Sequence, residues 1–310
     1  MNISTVGKGD CMNEQKKGIM LGISAYVLWG IIPLYWKLVP EVDALDILCY
    51  RILWSFLFMG MYIVVSKRWS PFIKETQSIL KDCKKTVGII VAAVLISINW
   101  FTFIYSVGQG RVTEASLGYY MNPLVIVLLG TVILKEKLSR AGVVACLLAL
   151  TGVLLLTIQT GVVPYASLIM AFSFSFYGLI KKRIDISSYT GLTLETLVIL
   201  PVALIYLLAF SQQGFMNYMT STNLLLVGAG VVTAIPLLLF AEAAKRISYI
   251  IVGFIQYINP TIMLLFAVFL FHEPYTMAQF AAFSFIWLGI AVFAYSTIRV
   301  YRKEQQLMEK

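Results

Sequence analysis

Charged residues are scarce in this 310-residue chain: Asp, Glu, Lys and Arg make up 13% of it, and hydrophobic residues make up 60%. About 25% charged residues is usual in a soluble domain. The mean hydropathy of +0.86 agrees with this imbalance. The composition therefore excludes an ordinary soluble protein and indicates a membrane protein.

Residues that bind metals or act as nucleophiles are also few. His272 is the single histidine, and the cysteines have no CxxC spacing, which argues against a metal site and a disulfide framework. The sequence contains no glycine-rich phosphate loop and no nucleophile elbow. It predicts neither an enzyme nor an ATP-driven pump, and no cofactor. The cysteines are Cys11, Cys49, Cys83 and Cys146.

Apolar runs of about 20 residues recur along the chain, and each is long enough to cross the hydrocarbon core of a bilayer. We predict ten spans, and a small amphipathic helix in the basic loop 66–86. The predicted spans are 18–36, 44–65, 87–107, 114–134, 141–158, 164–180, 190–210, 223–243, 249–270 and 276–298.

The basic residues indicate how the spans are oriented. With a cytoplasmic N-terminus, 21 of the 24 Lys and Arg residues fall in cytoplasmic segments, two (Lys37 and Arg111) fall in outer loops, and Arg51 lies within a span. This asymmetry obeys the positive-inside rule. It predicts a multi-pass membrane protein with both termini in the cytoplasm. It also explains the net charge of +9 without a nucleic-acid partner.

A motif occurs twice at an offset of 137 residues: Asn122-Pro123 matches Asn259-Pro260, Glu136 matches Glu273, and Gly152 matches Gly289. The copies close the first and second sets of five spans. Because five is odd, the second set enters the membrane from the opposite side. We therefore predict an all-α integral membrane protein of ten transmembrane helices in two inverted five-helix repeats, 18–158 and 164–298, with cytoplasmic tails 1–17 and 299–310. Inverted repeats are typical of secondary transporters.

These features resemble the EamA branch of the drug/metabolite transporter superfamily, and more narrowly the RarD proteins, over nearly the whole chain. The resemblance implies a plasma-membrane transporter, in a group named for chloramphenicol sensitivity. It does not define the substrate. The segments that carry it are Gly22-Ile23-Ser24-Ala25-Tyr26-Val27-Leu28-Trp29-Gly30-Ile31-Ile32-Pro33-Leu34-Tyr35-Trp36-Lys37, Ile98-Asn99-Trp100-Phe101, Glu114-Ala115-Ser116-Leu117-Gly118-Tyr119-Tyr120-Met121-Asn122-Pro123 and Leu194-Glu195-Thr196.

Charge inside a span is costly and often functional, and the two charged residues that lie at least one turn from the span ends are Glu195 and Arg51. Glu195 is a candidate for proton coupling; the alternative is an ion pair with Lys181 or Lys182. Arg51 is a candidate for gripping an anionic substrate. The alternative is a structural pair, for which Asp46, Asp43 and Glu114 are the expected partners.

Polar residues in span three have the spacing of one helical face: Asn99, Thr102, Ser106 and Gln109. This face either lines a cavity, beside Trp100, or makes hydrogen bonds between helices.

The repeated motif also contains polar pairs one turn before a proline, Tyr119 with Asn122 and Gln256 with Asn259. A proline opens a backbone carbonyl, and transporters build sites and hinges from such breaks. We predict hinges or kinks at Pro123 and Pro260, and at Pro33 in span one. The alternative for each proline is a kink that serves only the packing of the helices.

Aromatic residues offer a surface for a planar substrate, or else pack the core or the membrane interface. The candidates are Trp29, Trp100 and Tyr177.

The carboxylates at span ends have structural interpretations. Glu136 and Glu273, with Ser139 and Thr276 three residues on, are expected to shape loops and cap the last helix of each half. Glu242 is expected to pair with Lys245 or Arg246 at the membrane interface.

The sequence thus predicts a secondary transporter that moves a small organic molecule, such as an amphenicol-like or amino-acid-like compound, by alternating access. Its site would lie between the halves, lined by spans one, three, four, six, eight and nine. A passive facilitator or channel, and a flippase for lipid-linked substrates, are the alternatives on the same fold. The partners expected are the substrate and the bilayer; the sequence leaves a homodimer open.

Overall fold

The structure, a computed structural model, describes residues 8–109, 112–160, 165–270 and 276–308. The described residues are almost entirely helical and form no strand. A π-helical segment, Phe266–Leu270, continues α11. The α-helices are α1 Lys8–Trp36, α2 Ala44–Val65, α3 Trp69–Lys81, α4 Cys83–Gly108, α5 Val112–Val132, α6 Arg140–Thr160, α7 Tyr165–Arg183, α8 Ser188–Ala209, α9 Thr220–Arg246, α10 Tyr249–Gln256, α11 Ile258–Leu265 and α12 Met277–Met308.

In the part of the chain that the structure describes, each predicted span falls on one helix to within a residue or two, except the ninth, 249–270, which is divided among α10, α11 and the π-helical segment. The apolar lengths of these helices differ. Within the described residues, eight helical segments are long and apolar enough to cross a membrane. In α5 the apolar stretch Leu117–Val132 is shorter, and α7 ends on three consecutive basic residues. The chain is therefore a multi-pass helical membrane protein, and the count of ten spans stays a prediction. The eight segments are Asn13–Trp36, Ala44–Val65, Cys83–Ser106, Arg140–Gln159, Ser188–Ala209, Thr220–Arg246, Tyr249–Leu270 and Met277–Arg299.

Short polar side chains determine where several helices begin, because they accept hydrogen bonds from the first backbone amides. Asp43 accepts from Leu45 N at 2.8 Å before α2. The hydroxyls that follow Glu136 and Glu273 by three residues cap α6 and α12: Ser139 Oγ accepts from Gly142 N at 3.0 Å, and Thr276 Oγ1 accepts from Gln279 N at 3.2 Å.

The basic loop 66–86 holds the amphipathic helix that the sequence predicts, α3. Its Ile79 is buried in a small apolar cluster with Ile89 of α4 and Ile186, which precedes α8. The Glu75 carboxylate accepts hydrogen bonds from the backbone amide and hydroxyl of Ser187. Helix α3 is thereby fixed across the ends of two spans.

The second copy of the Asn-Pro motif interrupts its helix. Pro260 has no N–H to donate to the carbonyl of Gln256, and α10 ends at that residue before α11 begins at Ile258. By contrast, α1 and α5 run through Pro33 and Pro123 without an interruption.

The last helices of the two predicted halves, α6 and α12, pack along each other through glycines. A methyl group added to Gly152 would lie 2.5 Å from the carbonyl oxygen of Ala282. A methyl group added to Gly289 would lie 2.7 Å from the carbonyl oxygen of Ala145. Only hydrogen at both positions allows the backbones to come this close.

The largest apolar cluster of the bundle is formed by buried residues of α1, α2, α4, α5, α7, α8, α9 and α10. Helices α1 and α2 pack along α9, and α4 and α5 pack along α7. The rings of Tyr26, Phe174, Tyr177 and Phe240 are buried in the largest apolar cluster.

Candidate functional site

A small cavity lies among α2, α4, α7, α8 and α9, with a volume of about 20 Å³, enough for about one water molecule. Its polar lining comes from Ser97, Trp100, Tyr177, Glu195 and Thr196, and aliphatic side chains form the rest of the wall.

At the cavity, Glu195 forms a buried ion pair with Lys181, which lies near the end of α7. The Nζ–Oε1 distance is 2.6 Å, and the two side chains are 4% and 6% exposed, respectively. The Tyr177 hydroxyl donates to Glu195 Oε2 at 3.3 Å. The alternative partnership with Lys181 is therefore present, and Tyr177 completes a buried group of three titratable side chains.

Arg51 lies between helices close to the same cavity, and its contacts differ from those expected. Its Nε donates to Thr233 Oγ1 at 2.9 Å. The guanidinium carbon lies 4.5 Å from the ring centre of Trp100 and 5.1 Å from that of Trp36, both within cation–π range.

The predictions that Arg51 pairs with Asp46 or Asp43 are wrong. Asp46 Oδ2 accepts from Ser211 Oγ at 2.8 Å and from Tyr218 OH at 2.6 Å, and Asp43 caps α2. Among the side chains that the structure describes, no carboxylate pairs with Arg51. The side chain of Glu114 lies outside the described set.

Trp100 connects these two groups, since it lines the cavity beside Glu195 and also lies against the guanidinium of Arg51. The cation on α2 and the ion pair between α7 and α8 thus approach a single indole from α4.

The other members of the polar stripe on α4 do not share this position. Asn99 Nδ2 donates to the Met170 carbonyl at 2.8 Å and to Ser173 Oγ at 3.3 Å, which is the interhelical alternative. Thr102 is half-buried, Ser106 is buried and Gln109 is exposed. As far as the described residues define it, the cavity wall includes neither Asn99 nor Thr102.

The polar residues before the prolines are mostly buried between helices. Asn122 Oδ1 accepts from Ser175 Oγ at 2.8 Å, and Gln256 Oε1 accepts from Tyr26 OH at 3.1 Å. Asn259 Oδ1 is buried without a hydrogen-bond partner among the described residues. Tyr119 packs edge-on against Phe103 at 5.6 Å.

Trp29 packs in the aromatic core instead of the cavity wall. Its ring lies 5.3 Å from Tyr26, 5.6 Å from Phe174 and 5.7 Å from Phe240. These contacts agree with the alternative that Trp29 packs the core of the bundle.

Glu136 has a partner in the other half of the chain. Its two oxygens accept from the backbone amides of Tyr249 at 2.7 Å and Ile250 at 2.9 Å, so it caps α10 and not α6, where the sequence led us to place it. Glu273 lies outside the described residues. The expected interfacial pair of Glu242 with Arg246 is present.

Sequence reasoning missed Thr233 and Trp36 as neighbours of Arg51. Thr233 is a hydroxyl in the apolar run of α9, and Trp36 ends α1. A polar residue inside a span was the signal that could have identified Thr233. No feature of the sequence indicated that Trp36 lies beside Arg51.

A bundle of apolar helices with ionisable side chains turned inward defines a polytopic membrane protein of the transporter class. The chain belongs to the EamA-like transporter family, which matches residues 16–158 and 163–295.

Relatives with curated names cover nearly the whole chain. The uncharacterized transporter YojE of Bacillus subtilis is 47% identical over 296 residues, 92% of this chain and 96% of that protein. Protein RarD of Escherichia coli is 40% identical and spans 94% of this chain and 98% of its own. RarD of Salmonella typhi is 42% identical. The chain is thus a membrane transporter similar to the RarD proteins.

A crystal structure of a protein 18% identical in sequence shares the fold, with a TM-score of 0.68 over 89% of this chain and 96% of the other. At that identity the likeness describes the fold alone.

Proposed function

We propose that this protein is a secondary transporter that carries a small organic molecule across the bacterial plasma membrane by alternating access. The observation that carries the proposal is the convergence of Arg51 and the Lys181–Glu195 pair on Trp100 inside the bundle. Ionisable groups are expensive inside a membrane and mark solute or proton pathways there.

The alternating-access part rests on two inverted halves of five spans. In a two-fold arrangement, a contact between residue i of one copy and residue j of the other implies the contact between their equivalents. Gly152 against Ala282 and Gly289 against Ala145 are such a reciprocal pair at the 137-residue offset. These reciprocal contacts support a two-fold relationship between the halves. Two halves related in this way can exchange conformations and so open the site to either side of the membrane.

Proton coupling is proposed at Glu195. Its carboxylate, the Lys181 ammonium and the Tyr177 hydroxyl form a connected group beside the cavity. A proton taken up by Glu195 removes its charge and weakens its attraction to Lys181. The pair can then separate as the helices move, and it re-forms when the proton leaves.

Counterflow in proteoliposomes tests the transport cycle. Vesicles are loaded with an unlabelled compound that stabilises the purified protein on heating, and uptake of the labelled compound is measured. A carrier accumulates label transiently above equilibrium, since external and internal solute share one alternating site. A passive channel gives monotonic equilibration, and that result would overturn the alternating-access proposal. Dithionite quenching of fluorescent lipids in the same vesicles tests flippase activity.

A further inference from the structure

We propose that Arg51 is a carboxylate-binding residue, so that the substrate is a monocarboxylate with an organic body. This inference rests on the proposed transport function and adds the chemical class of its substrate. It concerns the half-buried guanidinium between α1, α2, α4 and α9, where the residues that the structure describes offer no anionic partner.

The donors of Arg51 are largely uncommitted. A guanidinium has five N–H donors in a planar fork, and the described contacts use one of them, Nε to Thr233 Oγ1 at 2.9 Å. The Trp36 and Trp100 rings lie against the guanidinium within cation–π range. Stacked rings hold the plane of an arginine while leaving its edge for bidentate hydrogen bonds.

Other buried or half-buried cations at the cavity and the adjacent helix ends have their charge or donors matched. Lys181 pairs with Glu195. Lys182 donates to the carbonyls of Ala244 and Ile247 at 3.0 and 2.5 Å, and Arg246 pairs with Glu242. By contrast, the described contacts of Arg51 are with one hydroxyl, that of Thr233, and with the indole rings of Trp36 and Trp100. An unmatched charge inside a membrane protein is costly, and a substrate anion would match it.

The charge of the site favours a monoanion. Lys181 is already neutralised by Glu195, and Lys245 donates to the Ile186 carbonyl and to Ser188 Oγ. Arg51 therefore has the most uncommitted donors among the described cations near the cavity. A phosphate group or a dicarboxylate would bring a second negative charge without a partner. A carboxylate fits the planar fork, and Trp36 and Trp100 offer an apolar surface for the rest of the molecule.

Thermal melting of the purified protein in detergent tests this site with acids and the corresponding amides, which lack the carboxylate. The probes are acetate and acetamide, benzoate and benzamide, and L-phenylalanine and L-phenylalaninamide. Ligands that bind the folded state raise the melting temperature by mass action. We expect at least one acid to raise it and its amide to have little effect, a comparison that needs no variant.

Arg51→Gln and Arg51→Lys then locate the effect, with Arg68→Gln as the matched control. Arg68 also lies over two aromatic rings, Tyr62 at 5.8 Å and Tyr189 at 5.1 Å, but it is exposed outside the spans. We expect apparent affinity for the acid to fall about tenfold or more in Arg51→Gln, because a charged hydrogen-bonded pair is lost. It should fall less in Arg51→Lys and stay unchanged in Arg68→Gln.

The outcomes separate this site from the transport function. If no acid stabilises the wild type more than its amide does, or if the acid effect survives in Arg51→Gln, the carboxylate site is overturned. Counterflow of a neutral amphenicol that is indifferent to Arg51→Gln would keep the transporter and overturn the site. Acid binding that requires Arg51 without counterflow would keep the site and overturn alternating access.

Discussion

The hydroxyl of Tyr120 donates to the carbonyl of Pro260 at 3.1 Å. Tyr257 occupies the equivalent position of the second repeat, at the 137-residue offset, but its buried hydroxyl has no partner among the described residues. Asn122 and Asn259 differ in the same way, since Ser175 donates to the first and the second Oδ1 has no described partner. The two copies of the motif therefore occupy different environments.

The two tyrosines should respond differently to loss of the hydroxyl. Tyr120→Phe removes a buried hydrogen bond and should destabilise the protein by about 1 kcal/mol. Tyr257→Phe removes an unsatisfied buried group and should be neutral or stabilising. Thermal melting of both variants in one detergent compares them directly. Equal destabilisation by the two substitutions would show that Tyr257 is hydrogen-bonded in the folded protein.

The crossing of α6 and α12 should be intolerant of side chains at its glycines. In Gly152→Ala the new methyl group would lie 2.5 Å from the Ala282 carbonyl oxygen, which forces the helices apart and should cost about 1–3 kcal/mol. Gly60→Ala in α2 is the control, because a methyl group there meets nothing within 4 Å. It should be neutral or slightly stabilising, since alanine is the better helix former. If the two variants have the same melting temperature, α6 and α12 do not pack as closely at Gly152 as the structure shows.

The sequence could predict features that depend on local chemistry. Apolar length places the helices, and hydroxyls such as Ser139 and Thr276 mark their first turns because capping joins residues three apart. The Lys181–Glu195 pair was within reach as an alternative, since 14 residues separate its members.

Partners distant in the chain could not be predicted in the same way. Glu136 accepts from amides 113 and 114 residues away, and Arg51 meets Thr233 across 182 residues. Such pairs depend on how far each helix is rotated and shifted against its neighbour. Periodicity identifies a polar face, as for Asn99, but not the helix or cavity that this face meets.

Glu136 should stabilise α10 from the other half of the chain. Glu136→Gln replaces a carboxylate at the helix N-terminus by an amide, which can accept at its oxygen only and carries no charge. We expect a loss of about 1 kcal/mol in unfolding free energy. The neighbouring, exposed Lys137→Gln should have little effect. Hydrogen exchange at Tyr249 and Ile250 should rise in the first variant alone; unchanged exchange there would contradict the cap.

The predicted orientation can be tested at Cys83, which is an exposed free thiol at the start of α4. In a variant whose other cysteines are replaced by serine, a membrane-impermeant maleimide should label Cys83 in inside-out vesicles and not in intact cells. Gly214→Cys in the loop after α8, in a background that also lacks Cys83, should show the reverse. Labelling of Cys83 in intact cells would reverse the predicted topology.

The buried Lys181–Glu195 pair should reveal whether Glu195 is structural, proton-coupling or both. Glu195→Gln leaves the Lys181 ammonium uncompensated and should destabilise the protein by about 3–5 kcal/mol. The double variant Glu195→Gln/Lys181→Met should recover most of this loss, since no isolated charge remains.

Transport by that double variant separates the two roles. If Glu195 carries the coupled proton, the double variant is folded but its uptake no longer varies with external pH, and counterflow persists because exchange needs no net proton movement. Glu242→Gln is the control: it breaks the half-exposed pair with Arg246, which is worth about 1 kcal/mol or less, and should keep the wild-type pH profile. An unchanged pH profile in the double variant would assign Glu195 to structure alone and place any proton coupling elsewhere in the bundle.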